Sequence, residues 1–285
     1  MRIAETIADL RILREELLKG DSSIALVPTM GALHAGHVSL IRKAREIADT
    51  VLVSIFVNPT QFGPTEDFGR YPRPLERDLS ILEKERVDAL FLPSASEMYP
   101  GGYQTYVIVE ELSQLHCGQF RPGHFRGVAT IVLKLLNLVQ PTAAVFGQKD
   151  AQQCVIIQRM VNDLNLGVRI VIGPTVRETD GLAVSSRNQY LSPTERTAAA
   201  VLYRSLQEAE KSVQNGERRT AAILSQVTDC ISKEPLARLQ YAELVKPLTL
   251  SPLRELDQEG ILLLAVFIGR TRLIDNIRLR PSNPG

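Results

Sequence analysis

The chain has 285 residues, 44% of them hydrophobic and 23% charged, with 33 basic against 32 acidic side chains and a formal charge of +1. That composition excludes a disordered or fibrous chain, the length suits one large domain with a smaller one, and the charge balance supplies no polycationic face for nucleic acid. The longest apolar run, residues 261–268, falls short of the ~20 residues of a membrane-spanning helix, so no membrane partner is expected.

At the N-terminus, Ile3, Ile7, Leu10 and Leu13 mark one amphipathic helix, and Glu5 and Asp9 within it speak against a signal peptide. Segments 24–27, 51–57, 87–92, 143–146 and 168–172 then read as strands rich in branched or aromatic residues, several with almost no alternation. Continuous hydrophobicity suits parallel strands covered on both faces. Between them, Val38, Ile41, Ala44, Ile47 and Ala48 form one helical stripe, and Val128, Ile131, Val132, Leu135 and Val139 another. The alternation predicts an α/β fold, an open parallel sheet with helices on both faces. Residues 105–109 are a further apolar segment, a candidate edge strand. After residue 176 the pattern changes. Ser192-Pro193-Thr194-Glu195 has the cap, proline and glutamate of a helix start, with helix expected to about residue 211 and again over 220–232. Segments 239–245, 261–268 and 272–279 read as strands, the last two joined near Gly269. Helices followed by antiparallel strands predict a smaller C-terminal α+β domain, which divides the chain into residues 1–176 and 177–285, with a frayed tail at 281–285. Cys117, Cys154 and Cys230 are odd in number and widely spaced, which suits reduced thiols in the cytoplasm. No cysteine pair has metal-ligand spacing.

The strongest chemical signal is Met30-Gly31-Ala32-Leu33-His34-Ala35-Gly36-His37, directly after a predicted strand and opening a predicted helix. Backbone N–H groups and the helix dipole converge there, which suits phosphate. Two of the four histidines lie three residues apart in this turn, on one face of the first helical turn. Gly147-Gln148-Lys149-Asp150 follows another strand and precedes Gln152 and Gln153. Its lysine could neutralise a transferring phosphate and its aspartate could accept ribose hydroxyls. Val184-Ser185-Ser186-Arg187 offers two hydroxyls and a guanidinium, suited either to polyphosphate oxygens or to a connector between domains. Asn58 and Gln61, after the second strong strand, supply neutral amides for a small polar acid. Residues 63–74 are either a flap or a surface loop, segment 121–127 is equally open, and His116-Cys117 reads as structural.

Together, residues 27–37, 56–62, 121–128, 147–153 and 185–188 resemble the pantoate–β-alanine ligase (pantothenate synthetase) family of the HxGH nucleotidyltransferase superfamily, in the family's order. One departure is Val245-Lys246-Pro247, where the family commonly carries an aspartate after the valine. The resemblance implies a Rossmann-like first domain, a cytoplasmic homodimer and a two-step reaction of ATP with Mg²⁺: (R)-pantoate is adenylated with release of pyrophosphate, and β-alanine then displaces AMP. It assigns ATP binding to Met30, Gly31, Ala32, Leu33, His34, Ala35, Gly36, His37, Gly147, Gln148, Lys149, Asp150, Val176, Val184, Ser185, Ser186 and Arg187. Gln61 and Gln153 would bind pantoate, with Gln61 also beside β-alanine. His37 is the usual acid-like catalytic group, supported by His34 and Lys149 as phosphate donors. No protein metal ligand is named. The rival readings are an HxGH nucleotidyltransferase that moves AMP onto a phosphorylated substrate, and a nucleotide-binding module without turnover.

Overall fold

The computed structural model describes residues 1–18 and 22–281; beyond Pro281 the expected frayed tail lies outside them. In chain order the main elements are β1 (Arg2–Ala4), α1 (Ile7–Leu17), β2 (Ile24–Thr29), α2 (Ala35–Ile47), β3 (Thr50–Ile55), α3 (Leu75–Lys84), β4 (Ala89–Phe91), α4 (Ala95–Met98), α5 (Cys117–Phe120), α6 (His124–Val139), β5 (Ala143–Gly147), α7 (Ala151–Asp163), β6 (Arg169–Gly173), α8 (Pro193–Ala198), α9 (Val201–Gln214), α10 (Thr220–Ser232), β7 (Ala237–Val245), β8 (Gly260–Ile268) and β9 (Thr271–Leu279). The chain forms two compact units, and they are not sequential blocks. The first comprises Met1–Gln114, Gly118–Gly147 and Ile156–Pro174; the second takes Leu115–Cys117 and Gln148–Val155 together with Thr175–Gly285. A single cut at residue 176 misses those two insertions because their partners are distant in sequence.

In the first unit, six strands pair in the order β1-β4-β3-β2-β5-β6, every recorded pairing parallel. β2 and β3 are buried along almost their whole length, which is why their sequences run apolar without alternation. Val27, Leu40, Ile41, Ala44, Val53, Leu82 and Val145 form one core face, each large aliphatic side chain contributing about 1.5–3 kcal/mol by burial. The order reverses around β2, which has β3 on one side and β5 on the other. Ligands of open α/β sheets sit at the carboxyl ends of the strands beside such a reversal, so the turn after β2 occupies the favoured place.

Two expectations differ here. Ile3 belongs to β1 and is 48% exposed, because Arg2, Ile3 and Ala4 pair with Ala89, Leu90 and Phe91, so the helix starts only at Ile7, after a capping box on Thr6. Residues 105–109 form no strand; Val107 N–H instead donates to the Thr130 hydroxyl.

In the second unit, β7-β8-β9 form an antiparallel sheet, packed through Leu244, Leu262, Leu264 and Val266 with Leu202, Leu206, Ile223 and Val227. The helix expected from Ser192 starts with the predicted capping box but breaks at Ala199 and Ala200 into α8 and α9. Among the described residues no helix is long and apolar enough to cross a membrane.

Candidate active site

In the first unit, the turn from β2 to α2 is built by hydrogen bonds from three directions. Thr29 Oγ1 donates to the Ser54 carbonyl (2.8 Å) and accepts the Gly31 N–H (3.1 Å), which ties the end of β2 to β3. Gly31 and Ala32 then take positive φ values of 79° and 50°, a conformation that costs an alanine energy and needs external support. Asp78 of α3 supplies it: its carboxylate accepts the Ala32 N–H (2.8 Å) and the Leu33 N–H (2.7 Å). Burial pushes the Asp78 carboxyl above its ordinary value, and the two N–H bonds only partly oppose this.

His34 caps α2. Its Nδ1 accepts the Gly36 N–H (3.2 Å), while His37 Nδ1 accepts the His34 N–H (3.3 Å), and the two rings stack with centroids 4.0 Å apart. An Nδ1 that accepts carries no proton, so the network assigns both imidazoles the neutral tautomer with hydrogen on Nε2. Each ring then carries its hydrogen on Nε2, an N–H of the kind that donates to a phosphate oxygen. A Cβ at position 36 would lie 2.9 Å from His34 Cε1, so a larger residue there would push the His34 ring out of its capping position.

Gln61 is 8% exposed and its amide is oriented by neighbours. Its Oε1 accepts from Asn58 Nδ2 (3.0 Å) and its Nε2 donates to Met30 Sδ (2.9 Å). Asn58 in turn accepts from the Tyr99 hydroxyl (2.9 Å) and from the Thr60 hydroxyl (2.9 Å) and backbone N–H (3.3 Å), and donates to the Gly127 carbonyl (3.1 Å). Burial, with Tyr103 and Tyr106 nearby, pushes the Tyr99 phenol up to about 12, so it keeps its hydrogen. The Gln61 carbonyl accepts His124 Nδ1–H (2.7 Å), and His124 Nε2 accepts from Arg121 Nη1 (3.0 Å). Arg121 forks onto Glu66 at 2.7 and 2.6 Å. Burial raises the Glu66 carboxyl, but the Arg121 guanidinium outweighs it and holds the group below its ordinary value. Residues 63–74 and 121–127 are thus tied to one another and to Gln61.

In the second unit, Gln148–Asp150 forms a 3₁₀ turn ahead of α7. Lys149 and Gln153 are half-buried, whereas Gln152 spends its amide on the Cys117 N–H (3.1 Å) and the Leu115 carbonyl (2.7 Å). Val176 and Val184 face each other across a hairpin, the Val184 N–H donating to the Val176 carbonyl (3.0 Å). Ser185 accepts the Arg187 N–H (3.3 Å) at the start of the next turn. His116 is structural, its Nε2–H donating to the Leu250 carbonyl (2.8 Å).

The pantoate-beta-alanine ligase family model matches residues 2–278. The chain belongs to the pantoate–β-alanine ligase family. It is 54% identical over 278 residues to the pantothenate synthetase of Thermoanaerobacter sp. (strain X514), covering 97% of this chain and 98% of that one. It resembles the crystal structure of pantothenate synthetase from Thermus thermophilus with a TM-score of 0.94 at 45% identity, over 99% and 100% of the two chains. It also resembles the pantoate-beta-alanine ligase of Francisella tularensis, solved in complex with beta-gamma ATP and beta-alanine, with a TM-score of 0.82 at 37% identity over 100% of both chains.

Within this ligase fold, the first unit pairs Gln61 with Met30 and His34 with His37 at the turn after β2, and the second carries residues 148–150, Gln153, Val176 and 184–187. Asn58, expected as a substrate ligand, is 1% exposed; its side-chain oxygen and both amide hydrogens are hydrogen-bonded within the chain, one of them to Gln61. Sequence reading missed Asp78 and Tyr99. Asp78 did leave a signal, a charged residue among Leu75, Leu79 and Leu82 on the apolar stripe of α3; Tyr99 left none. Among the described residues no group of three or more His, Cys, Asp or Glu side chains could hold a metal ion.

Proposed function

We propose that this chain joins (R)-pantoate to β-alanine at the expense of ATP. The match of the pantoate–β-alanine ligase family over residues 2–278 carries this reading. A pantoate carboxylate oxygen attacks the α-phosphorus, the bond from that phosphorus to the bridging oxygen breaks, and pyrophosphate leaves. The β-alanine amine then attacks the acyl carbon, AMP leaves with the electron pair of the acyl–oxygen bond, the amine gives up a proton, and pantothenate forms.

In this reading residues 30–37, 147–150, Val176 and 184–187 hold ATP. His34 and His37 donate Nε2–H to phosphoryl oxygens as charge builds on them, and Lys149 and Arg187 add positive charge; fixed donors of this kind contribute most of the acceleration in phosphoryl chemistry. The tautomers deduced above support hydrogen-bond donation by His37 over proton transfer from an imidazolium. Gln61, with its oxygen occupied by Asn58, offers N–H to an acceptor, which suits the carboxylate or a hydroxyl of pantoate. Gln153 is the second pantoate ligand. Magnesium belongs to the same reading as an ion carried by the nucleotide, which when bound would neutralise polyphosphate charge. Homodimer formation and a cytoplasmic location belong to the same reading, the latter supported by three cysteines without a disulfide among them.

Exchange of labelled pyrophosphate into ATP tests the reading. Exchange should require pantoate, and AMP should accumulate only when β-alanine is added. Exchange without pantoate, or none with it, rejects the ligase assignment.

A further inference from the structure

The turn that carries Lys149 is held from the last strand of its unit. Asn276 of β9 is 3% exposed, and its single amide nitrogen donates to two successive carbonyls, Gln148 O and Lys149 O, each at 2.9 Å. Both amide hydrogens are thereby used, and Gln148 Nε2 reaches back to Asn276 Oδ1 at 3.5 Å. Asn276 is itself fixed: its backbone N–H donates to Asp275 Oδ1 (2.8 Å).

Asp275 binds a second segment. Arg177 donates to its carboxylate through Nη1 (2.6 Å) and Nη2 (3.0 Å), donates through Nη1 to the Gly181 carbonyl (3.0 Å), and lies over the Tyr203 ring at 4.3 Å. Arg177 pairs with Ala183 inside the hairpin from Val176 to Val184. The Asp275 side chain is fully buried, and a buried ion pair is a poor source of net stability because desolvation offsets the attraction. What such a pair does secure is position. Adjacent residues of one strand thus hold the backbone of the Lys149 turn and the arm that leads into residues 184–187.

We infer that Asn276 is a positioning residue for ATP, which sets the Lys149 backbone so that its ammonium meets the nucleotide phosphates. This rests on the ligase reading above both for the reaction and for the placing of Lys149 on the nucleotide phosphates. A lysine has a flexible four-carbon stem, so the place of its Cα limits where its charge can be delivered, and misplacement by an ångström can cost two orders of magnitude in rate.

The test uses the full chain with Asn276→Ala, Asn276→Asp and Lys149→Ala, each alone, and Asn276→Ala combined with Lys149→Ala. Asn276→Asp has nearly the same size but cannot donate to the two carbonyls. Folding is followed by circular dichroism, ATP affinity by titration calorimetry, and turnover by pantoate-dependent pyrophosphate exchange. Both Asn276 variants should lose roughly 10- to 100-fold in kcat/KM for ATP while the KM for pantoate stays nearly constant. In the Lys149→Ala background, Asn276→Ala should cost almost nothing more, because the two residues act through one contact. Losses that add fully, near wild-type affinity and turnover in the Asn276 variants, or failure of both to fold would each overturn the inference, the last by making Asn276 structural. If the wild-type chain binds ATP but shows no pantoate-dependent exchange, the ligase reading fails and the affinity cycle alone decides the role of Asn276.

Discussion

Replacing Asp78 should loosen the turn after β2 before it disturbs anything else. The carboxylate accepts two backbone N–H groups, from Ala32 at 2.8 Å and Leu33 at 2.7 Å, and it is 2% exposed. Asp78→Ala leaves both donors buried without their acceptor, at roughly 1–3 kcal/mol each, and the relief of an unfavourably buried carboxyl brings the expected total to about 2–4 kcal/mol. Asp78→Asn keeps one acceptor oxygen but turns an NH₂ toward the second N–H, so about half of that loss is expected. The pH dependence has a definite sign. Burial raises the folded-state Asp78 carboxyl above its ordinary value, so its titratable contribution is fully present below the unfolded value and is lost as pH rises through the folded one. The deficit of Asp78→Asn relative to wild type should therefore shrink from acid toward neutral pH. Urea unfolding at several pH values measures this, and ATP affinity should weaken in parallel because Ala32 and Leu33 lie in the turn proposed to hold ATP. A loss below about 1 kcal/mol in Asp78→Ala, with ATP affinity unchanged, would refute the argument that this carboxylate holds the turn.

His37→Ala should remove about 2.7–4 kcal/mol of transition-state stabilisation, the range for one pre-organised donor, read from kcat in pyrophosphate exchange; near-normal kcat would remove His37 from the chemistry. Gly127→Ala would drive a Cβ into the Thr60 carbonyl and to 2.6 Å from the Gln61 nitrogen, so it should destabilise by about 1–3 kcal/mol and raise the KM for pantoate through Gln61. For Arg121→Ala the sign of the pH effect reverses. Arg121 holds Glu66 below its ordinary value against burial, which contributes stability above the unfolded value that is lost as pH falls through the folded one. Without the guanidinium, burial alone should raise Glu66, and the variant's deficit measured by urea unfolding should be larger at neutral than at acid pH.

Local periodicity made much of the architecture legible. The continuous apolar runs of β2 and β3, the stripe from Val38 to Ile47, and Ser192 with Glu195 each encode their element within a few residues, because parallel burial, helix amphipathicity and capping are short-range patterns. The turn from β2 to α2 was legible for the same reason, as a strand running into a helix with His34, Gly36 and His37 at its start. Residues 2–4 misled because Arg2, Ile3 and Ala4 gain their conformation from pairing with residues 89–91, and the helix after Ser192 broke where no local signal marks Ala199 and Ala200.

The sequence by itself thus determined the alternation of strands and helices, the family and the residue types offered to a nucleotide. The tertiary structure alone decided which of those residues are available and which serve others. Asn58 donates to Gln61, each histidine Nδ1 accepts a backbone N–H, and Asp78 and Asn276 hold two turns. Each of these outcomes depends on hydrogen-bond partners far apart in sequence, 46 residues in one case and 128 in another, and no local pattern encodes where such partners meet.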